Sequence, residues 1–201
     1  VSIFKRSAPD AGERWILVGL GNPGDRYEGT RHNAGAMVLE VLAQRIGSRF
    51  KSHRSGCLVA EGQLSGDRVV VARPTSYMNE SGRPVRKLMD FYKAPLDKLV
   101  VIHDEIDIPF GEVRLKAGGG TAGHNGLKSI VSHVGSNDFL RVRFGVSRPR
   151  GRDATVGHVL DRFSRSERKE LPDLLETAAD AAERIVEVGA ERAMNEFNTR
   201  A

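Results

Sequence analysis

Two periods alternate along this chain. WILVGL, from Trp15, is a short unbroken apolar run of strand length. From about Asn33 to Ile46 the residues Ala34, Met37, Val38, Val41, Leu42 and Ile46 recur at helical spacing, and Gly47 ends the pattern. CLVAEGQL and RVVVARP read as two strands joined at Ser65-Gly66-Asp67. Val85, Leu88, Met89 and Tyr92 form a second helical stripe, from about Gly82 to Tyr92. KLVVIH is apolar throughout, which places it in the middle of a sheet covered by helices. GEVRLK reads as a strand. The loop Gly118-Gly119-Gly120-Thr121-Ala122-Gly123 follows it, and His124 to Val134 reads as a helix. In FLRVRFGVS, Leu140, Val142, Phe144 and Val146 point one way while Arg141, Arg143 and Ser147 point the other, a strand with a basic face. At the end, Ser164 and Glu167 suit a capping box, and Leu171, Leu174, Leu175, Ala178, Ala182 and Ile185 supply a helical stripe.

Strands alternating with helices predict a single α/β domain: a mixed, mostly parallel central sheet with helices on both faces. No repeat or break in composition marks a linker. The opening VSIFKRSAPDAGER has neither an apolar core nor a cleavage pattern, so residues 1–13 read as a flexible N-terminal extension and 14–201 as the domain.

Composition narrows the class. With 39% hydrophobic and 28% charged residues among 201, the chain can bury a sizeable core and does not fit a disordered protein. No apolar run approaches the ~20 residues of a membrane span. Cys57 is the single cysteine, which excludes an internal disulfide and points to the cytoplasm. The net charge of +5 suits a polyanionic partner, and Arg141, Arg143, Arg148, Arg150 and Arg152 fall within RVRFGVSRPRGR, which has no acid.

GLGNPG, from Gly19, spells the dinucleotide turn G-x-G-x-x-G. The spelling is misleading. A dinucleotide site needs a helix to begin inside the turn, so that its N-terminus faces the pyrophosphate. Here Asn22-Pro23-Gly24-Asp25 is a turn, Gly29 still breaks helix, and the helical pattern starts only near Asn33. What remains is a loop carrying Asn22, Tyr27, Arg31, His32 and Asn33 at the mouth of a sheet. Ligands of open α/β sheets sit there, beyond the carboxyl ends of the strands. A histidine so placed is either a base or a capping, structural group. Three other strand-end loops carry Asn79, Asp104 and the pair His124-Asn125. A carboxylate beside a histidine fixes its tautomer and raises its basicity, and carboxamides can hold a carbonyl or a ribose without bringing charge.

At these residues the chain resembles the bacterial-type peptidyl-tRNA hydrolase family. The blocks GLGNPGDRYEGTRHNAG, PTSYMNESG, HDEIDIPFGEVRLK and GGGTAGHNGLKSI carry the resemblance in family order. It implies a monomeric α/β hydrolase that uses no metal or other cofactor. Such an enzyme cleaves the ester between a peptide and the 3′ ribose of tRNA, with no DNA or membrane partner. It further implies that His32 is the general base, that Asp104 holds His32 in its basic form, and that Asn22 discriminates N-blocked from free aminoacyl-tRNA. Tyr27, Tyr77, Asn79 and Asn125 fall at its substrate-binding positions. Tyr77 often appears as Phe in that family, and Ala122 stands where a further glycine is common.

Other features have plainer readings. His103, Asp104, Glu105 and Asp107 could be taken for a metal cluster, but a strand turns Asp104 away from His103 and Glu105. Glu105 and Asp107 then read as turn and surface groups. The arginine run is either a solvated strand face or a phosphate-binding surface for the tRNA acceptor stem. On the second reading Arg143, Lys116 and Lys128, in or near the site loops, make the contacts.

Overall fold

The computed structural model describes residues 13–151 and 154–199. The expected N-terminal extension therefore lies, up to residue 12, outside the described residues, as does Arg152. In chain order the strands are β1 (Trp15–Gly19), β2 (Lys51–His53), β3 (Cys57–Leu64), β4 (Asp67–Pro74), β5 (Leu99–Glu105), β6 (Val113–Ala117) and β7 (Leu140–Gly145). The helices are α1 (Ala34–Arg45), α2 (Gly82–Tyr92), α3 (Asn125–Val134), α4 (Thr155–Leu160), α5 (Glu167–Val188) and α6 (Ala190–Asn198). Two single 3₁₀ turns matter for the site, Arg31–Asn33 and Met78–Glu80.

One seven-stranded sheet runs β2-β3-β4-β1-β5-β7-β6. The central strands β4, β1, β5 and β7 are parallel, while the outer pairings β3–β4 and β2–β3 on one side and β6–β7 on the other are antiparallel. This is the mixed, mostly parallel α/β domain that the alternation of elements predicts. Period-two alternation sends Leu17 to one face and Ile16 and Val18 to the other. On the first face, Leu17, Val71, Ile102 and Val142 pack under α1, α5 and α6 through Val38, Leu42, Ile185 and Phe197. On the second, Ile16, Val18, Val70 and Val101 pack under α2 and α3 through Val85, Leu88, Leu127 and Ile130. Each fully buried Leu or Ile stabilises the fold by about 2 kcal/mol. The capping box at α5 forms as expected: Ser164 N donates to Glu167 Oε2 at 2.6 Å and Glu167 N to Ser164 Oγ at 3.2 Å.

The glycines of GLGNPG serve packing. A methyl group on Gly19 would lie 2.3 Å from the Gly35 carbonyl oxygen, and one on Gly35 would lie 2.1 Å from that of Ile102. Gly21 is closed in the same way by Ala36 and Asn33. The start of α1 therefore lies directly on the ends of β1 and β5, which brings residues 31–33 over the carboxyl edge of the sheet.

Two expectations need correction. The reading of the β7 polar face as solvated fails at Arg141, while Arg143 is half-buried. The strand lies between β5 and β6, and Arg141 is only 1% exposed. Glu105 is also buried, and its Oε1 accepts from Asp107 N at 3.2 Å. Asp107 is exposed, as read, and pairs with Arg148.

Candidate active site

The turn Arg31–Asn33 leads into α1 and carries three buried polar side chains. Asn33 holds the loop before it. Its Oδ1 accepts from Asn22 N at 2.9 Å and its Nδ2 donates to Asn22 O at 3.0 Å. The Asn22 side chain is turned to the next loop, where Oδ1 accepts from Met78 N at 2.7 Å. Asn22 Nδ2 has no hydrogen-bond partner among the described residues. Met78 is buried in the core beneath this contact.

His32 reaches Asp104 at the end of β5. Its Nδ1 lies 3.0 Å from both carboxylate oxygens, so this nitrogen carries the proton and donates. His32 Nε2 has no hydrogen-bond partner among the described residues, and the side chain is 11% exposed. A second histidine meets the same carboxylate. His124 Nε2 lies 2.8 Å from Asp104 Oδ1. His124 is the N-cap of α3, and its Nδ1 accepts from Gly126 N and Leu127 N at 3.2 and 3.4 Å. Backbone N–H groups only donate, so Nδ1 must hold a lone pair and the proton must sit on Nε2. Both histidines thus donate to Asp104. Burial by itself raises the Asp104 carboxyl, but the facing rings of His124 and His32 and their hydrogen bonds hold it well below the usual carboxylate range.

The ring nitrogens and carboxylate of His32, Asp104 and His124 converge within 4.8 Å, a set that resembles metal ligands. The cap argues against that use. A metal on His124 Nε2 would move the proton to Nδ1, against the two donors of α3.

His103, the neighbour of Asp104, is fully inside. Burial and the adjacent His124 push it down to about 3, and its Nδ1 donates to the Asp104 carbonyl oxygen at 2.8 Å. It is a neutral structural group.

The glycine loop does not leave the sheet where the other site loops do. Ala117 pairs with Leu140, the first residue of β7, so β6 ends at the opposite edge. The loop crosses back before delivering His124. Arg141 fixes that crossing by donating to the carbonyl oxygens of Gly120 at 2.6 Å and Gly119 at 2.7 Å. Ala122 within it adopts a left-handed φ of 49° and is exposed, so the extra methyl is accommodated at the cost of local strain.

The remaining expected residues lie outside the His32–Asp104–His124 cluster, and Lys116 is near the end of β6 at the opposite edge of the sheet. Tyr27 and Tyr77 stand edge to face at 6.5 Å, with Tyr77 56% exposed. Asn79 and Asn125 are exposed, next in sequence to Met78 and His124. Lys116 is half-buried against Gly119, and Lys128 is exposed on α3. Arg143 is half-buried, and its Nε has no hydrogen-bond partner. The arginine run is therefore not one surface. Arg141 is a buried strut, Arg143 is unsatisfied, Arg148 is paired and Arg150 is exposed. The sequence reading gave His124 and Asn33 no role. A histidine directly before a helical stripe was the available signal for a cap; the bond to Asp104 had none.

A histidine backed by a carboxylate through Nδ1, with no serine or cysteine bonded to its other nitrogen among the described residues, is the equipment of a hydrolase that activates water. The sequence profile of peptidyl-tRNA hydrolase matches residues 16–201. The peptidyl-tRNA hydrolase of Frankia casuarinae is 55% identical over 184 residues, covering 92% of this chain and 93% of that protein. That of Mycobacterium avium is 52% identical, covering 91% and 96%. The crystal structure of peptidyl-tRNA hydrolase from Acinetobacter baumannii has a TM-score of 0.86 at 35% identity, covering 92% of this chain and 94% of that one. The chain belongs to the peptidyl-tRNA hydrolase family, and its activity is hydrolysis of the ester bond of peptidyl-tRNA. Among the described residues no helix is long and apolar enough to cross a membrane.

Proposed function

We propose that His32 is the general base of this reaction. The observation that carries the reading is the division of labour on its ring: Nδ1–H is held by both oxygens of Asp104 at 3.0 Å, while Nε2 is left with a lone pair and no partner among the described residues. Water on Nε2 gives up a proton as it attacks the ester carbonyl, and the imidazolium that forms faces the Asp104 carboxylate. The tetrahedral intermediate then collapses, and the 3′ oxygen of the ribose leaves with a proton. A positioned base of this kind contributes about 10²–10⁴-fold. His124 donates to Asp104 through Nε2.

Asn22 Nδ2 is a donor without a partner among the described residues, on a residue whose other groups are all engaged. In this reading it binds the carbonyl that distinguishes an N-blocked residue from a free amine. Tyr27 and Tyr77 offer faces for a terminal base, and Asn79 and Asn125 offer uncharged hydrogen bonds to ribose and peptide. Lys116, Lys128 and Arg143 bind phosphates of the acceptor stem, which sets position and not sequence. Arg143 supports this best, as a half-buried cation whose Nε has no hydrogen-bond partner among the described residues. The reaction uses no metal or cofactor, residues 14–201 form the catalytic unit, and the enzyme works as a cytoplasmic monomer.

The test is incubation with an N-acylated aminoacyl-tRNA and with its unacylated counterpart, both with chelator, beside His32→Ala. Release of the acylated amino acid alone, abolished in the variant, is expected. Binding without release by the wild type would instead make the protein an RNA-binding relative.

A further inference from the structure

Arg31 precedes His32, and its side chain enters a second, largely buried network. One guanidinium nitrogen donates to three backbone oxygens at the end of α4: His158 at 3.2 Å, Asp161 at 3.4 Å and Arg162 at 3.1 Å. The other donates to Glu167 Oε2 at 2.8 Å, and Glu167 is the capping-box acid of α5. The guanidinium also lies over the Phe163 ring at 5.7 Å. The main chain repeats the contact. Arg31 N donates to Asp161 O, Phe163 N donates to Gly29 O, and Thr30 bridges Arg162. Four acceptors for one planar, permanently charged group fix its plane and direction. The Arg31 side chain is 9% exposed, and no function described above uses it.

We propose that Arg31 is a positioning residue for His32. It locks the turn Arg31–Asn33 to residues 158–162 and to the first turn of α5. The direction of the His32 imidazole is then set from two sides: by Asn33 through the Asn22 loop, and by Arg31 through the α4–α5 junction. The turn has only three residues and no side-chain cap of its own, so these outside anchors decide where its middle residue points. The inference rests on His32 being the base. Its geometric content, the orientation of the His32–Asp104 pair, can be read without that.

The test compares Arg31→Lys, Arg31→Gln and Glu167→Gln with the wild type, each first shown to be folded at the assay temperature. Lysine keeps the charge but cannot reach four acceptors at once. Arg31→Lys is expected to lower kcat about 10–100-fold, the scale of a misplaced catalytic group, with KM within about threefold. The downfield NMR signal of the His32 Nδ1 proton, identified by its loss in His32→Ala, should weaken or shift. Glu167→Gln keeps the three carbonyl bonds and should lose about 3–10-fold. It also decides the matter if both Arg31 variants fail to fold. Wild-type kcat with an unmoved Nδ1 proton in a folded Arg31 variant, or in Glu167→Gln if it is the only folded one, overturns the proposal. A raised KM with an unmoved proton does so too, since it makes Arg31 a substrate contact. Full activity in His32→Ala would instead strike the base reading, while the Nδ1 proton of the Arg31 variants would still report on positioning.

Discussion

His32 and His124 reach the same carboxylate from opposite covers of the sheet, and they are held differently. His32 sits in a short turn whose flanking residues Arg31 and Asn33 are buried and multiply bonded. His124 arrives at the end of a crossing glycine loop and is fixed by the helix it caps. Both donate to Asp104, but the remaining nitrogen of His124 is committed to two backbone donors and that of His32 to none. Two chemically identical side chains at one carboxylate therefore do different work. The opposite nitrogen suits His32 to the base role proposed above and commits His124 to capping α3.

The sharpest way to break this comparison is to remove each ring in turn. His32→Ala is expected to lower kcat about 10²–10⁴-fold without loss of fold, as read by single-turnover hydrolysis beside circular dichroism. Asp104→Asn removes the charge that both rings face and should fall in the same range.

Stability against pH comes next and separates His103 from its neighbours. A histidine held down to about 3 in the fold takes up its proton near 6.5 when unfolded. Between those values the unfolded state binds more protons, so stability falls as the solution is acidified, with a slope of up to about 1.4 kcal/mol per pH unit. Asp104, also depressed, contributes stability that is complete above the unfolded carboxylate value near 4 and is lost as pH falls below it. Denaturant midpoints between pH 4 and 6 should show a shallower slope in His103→Gln, and the contribution of Asp104 should persist there.

His124 gives a smaller, divided effect. His124→Ala loses the cap and the bond to Asp104, costing about 1–2 kcal/mol of stability. Asparagine is a good N-cap, so His124→Asn should recover most of that stability but not the lost rate, since the shorter side chain leaves Asp104 one donor short. Equal recovery of both would mean that His124 acts only through α3. The smallest effect belongs to Ala122→Gly. Relief of the left-handed strain and the added freedom of the unfolded chain oppose each other, so stability should move by less than about 1 kcal/mol and kcat/KM should hardly change.

Much of this was legible in the chain. The apolar runs of β1 and β5 and the stripes of α1, α2 and α5 follow from side-chain period alone, and their alternation predicts the parallel centre. His32 and Asp104 could be paired because each follows a buried strand, and such strands bring their ends to one edge. The direction of β6 was not legible: nothing in GEVRLK says whether it runs with or against β7, and so the path of the glycine loop stayed hidden. Nor was the fate of Arg141. Alternation assigns it to the polar face of its strand, but whether that face meets water depends on strand order and on what crosses it. The G-x-G spelling is the converse case. The glycines are required, for an approach between backbones that a dinucleotide turn also needs for another reason.

That approach has a consequence for how the molecule fails on heating. Leu20 N donates to Ile102 O and Ala36 N to Leu20 O, both at 3.0 Å, across contacts too tight for a methyl group. The ends of β1 and β5 and the start of α1 cannot separate piecemeal. Their amide protons should exchange with solvent only when the whole domain opens, and thermal inactivation should track global unfolding with no earlier step: the catalytic corner is among the last parts of the molecule to melt.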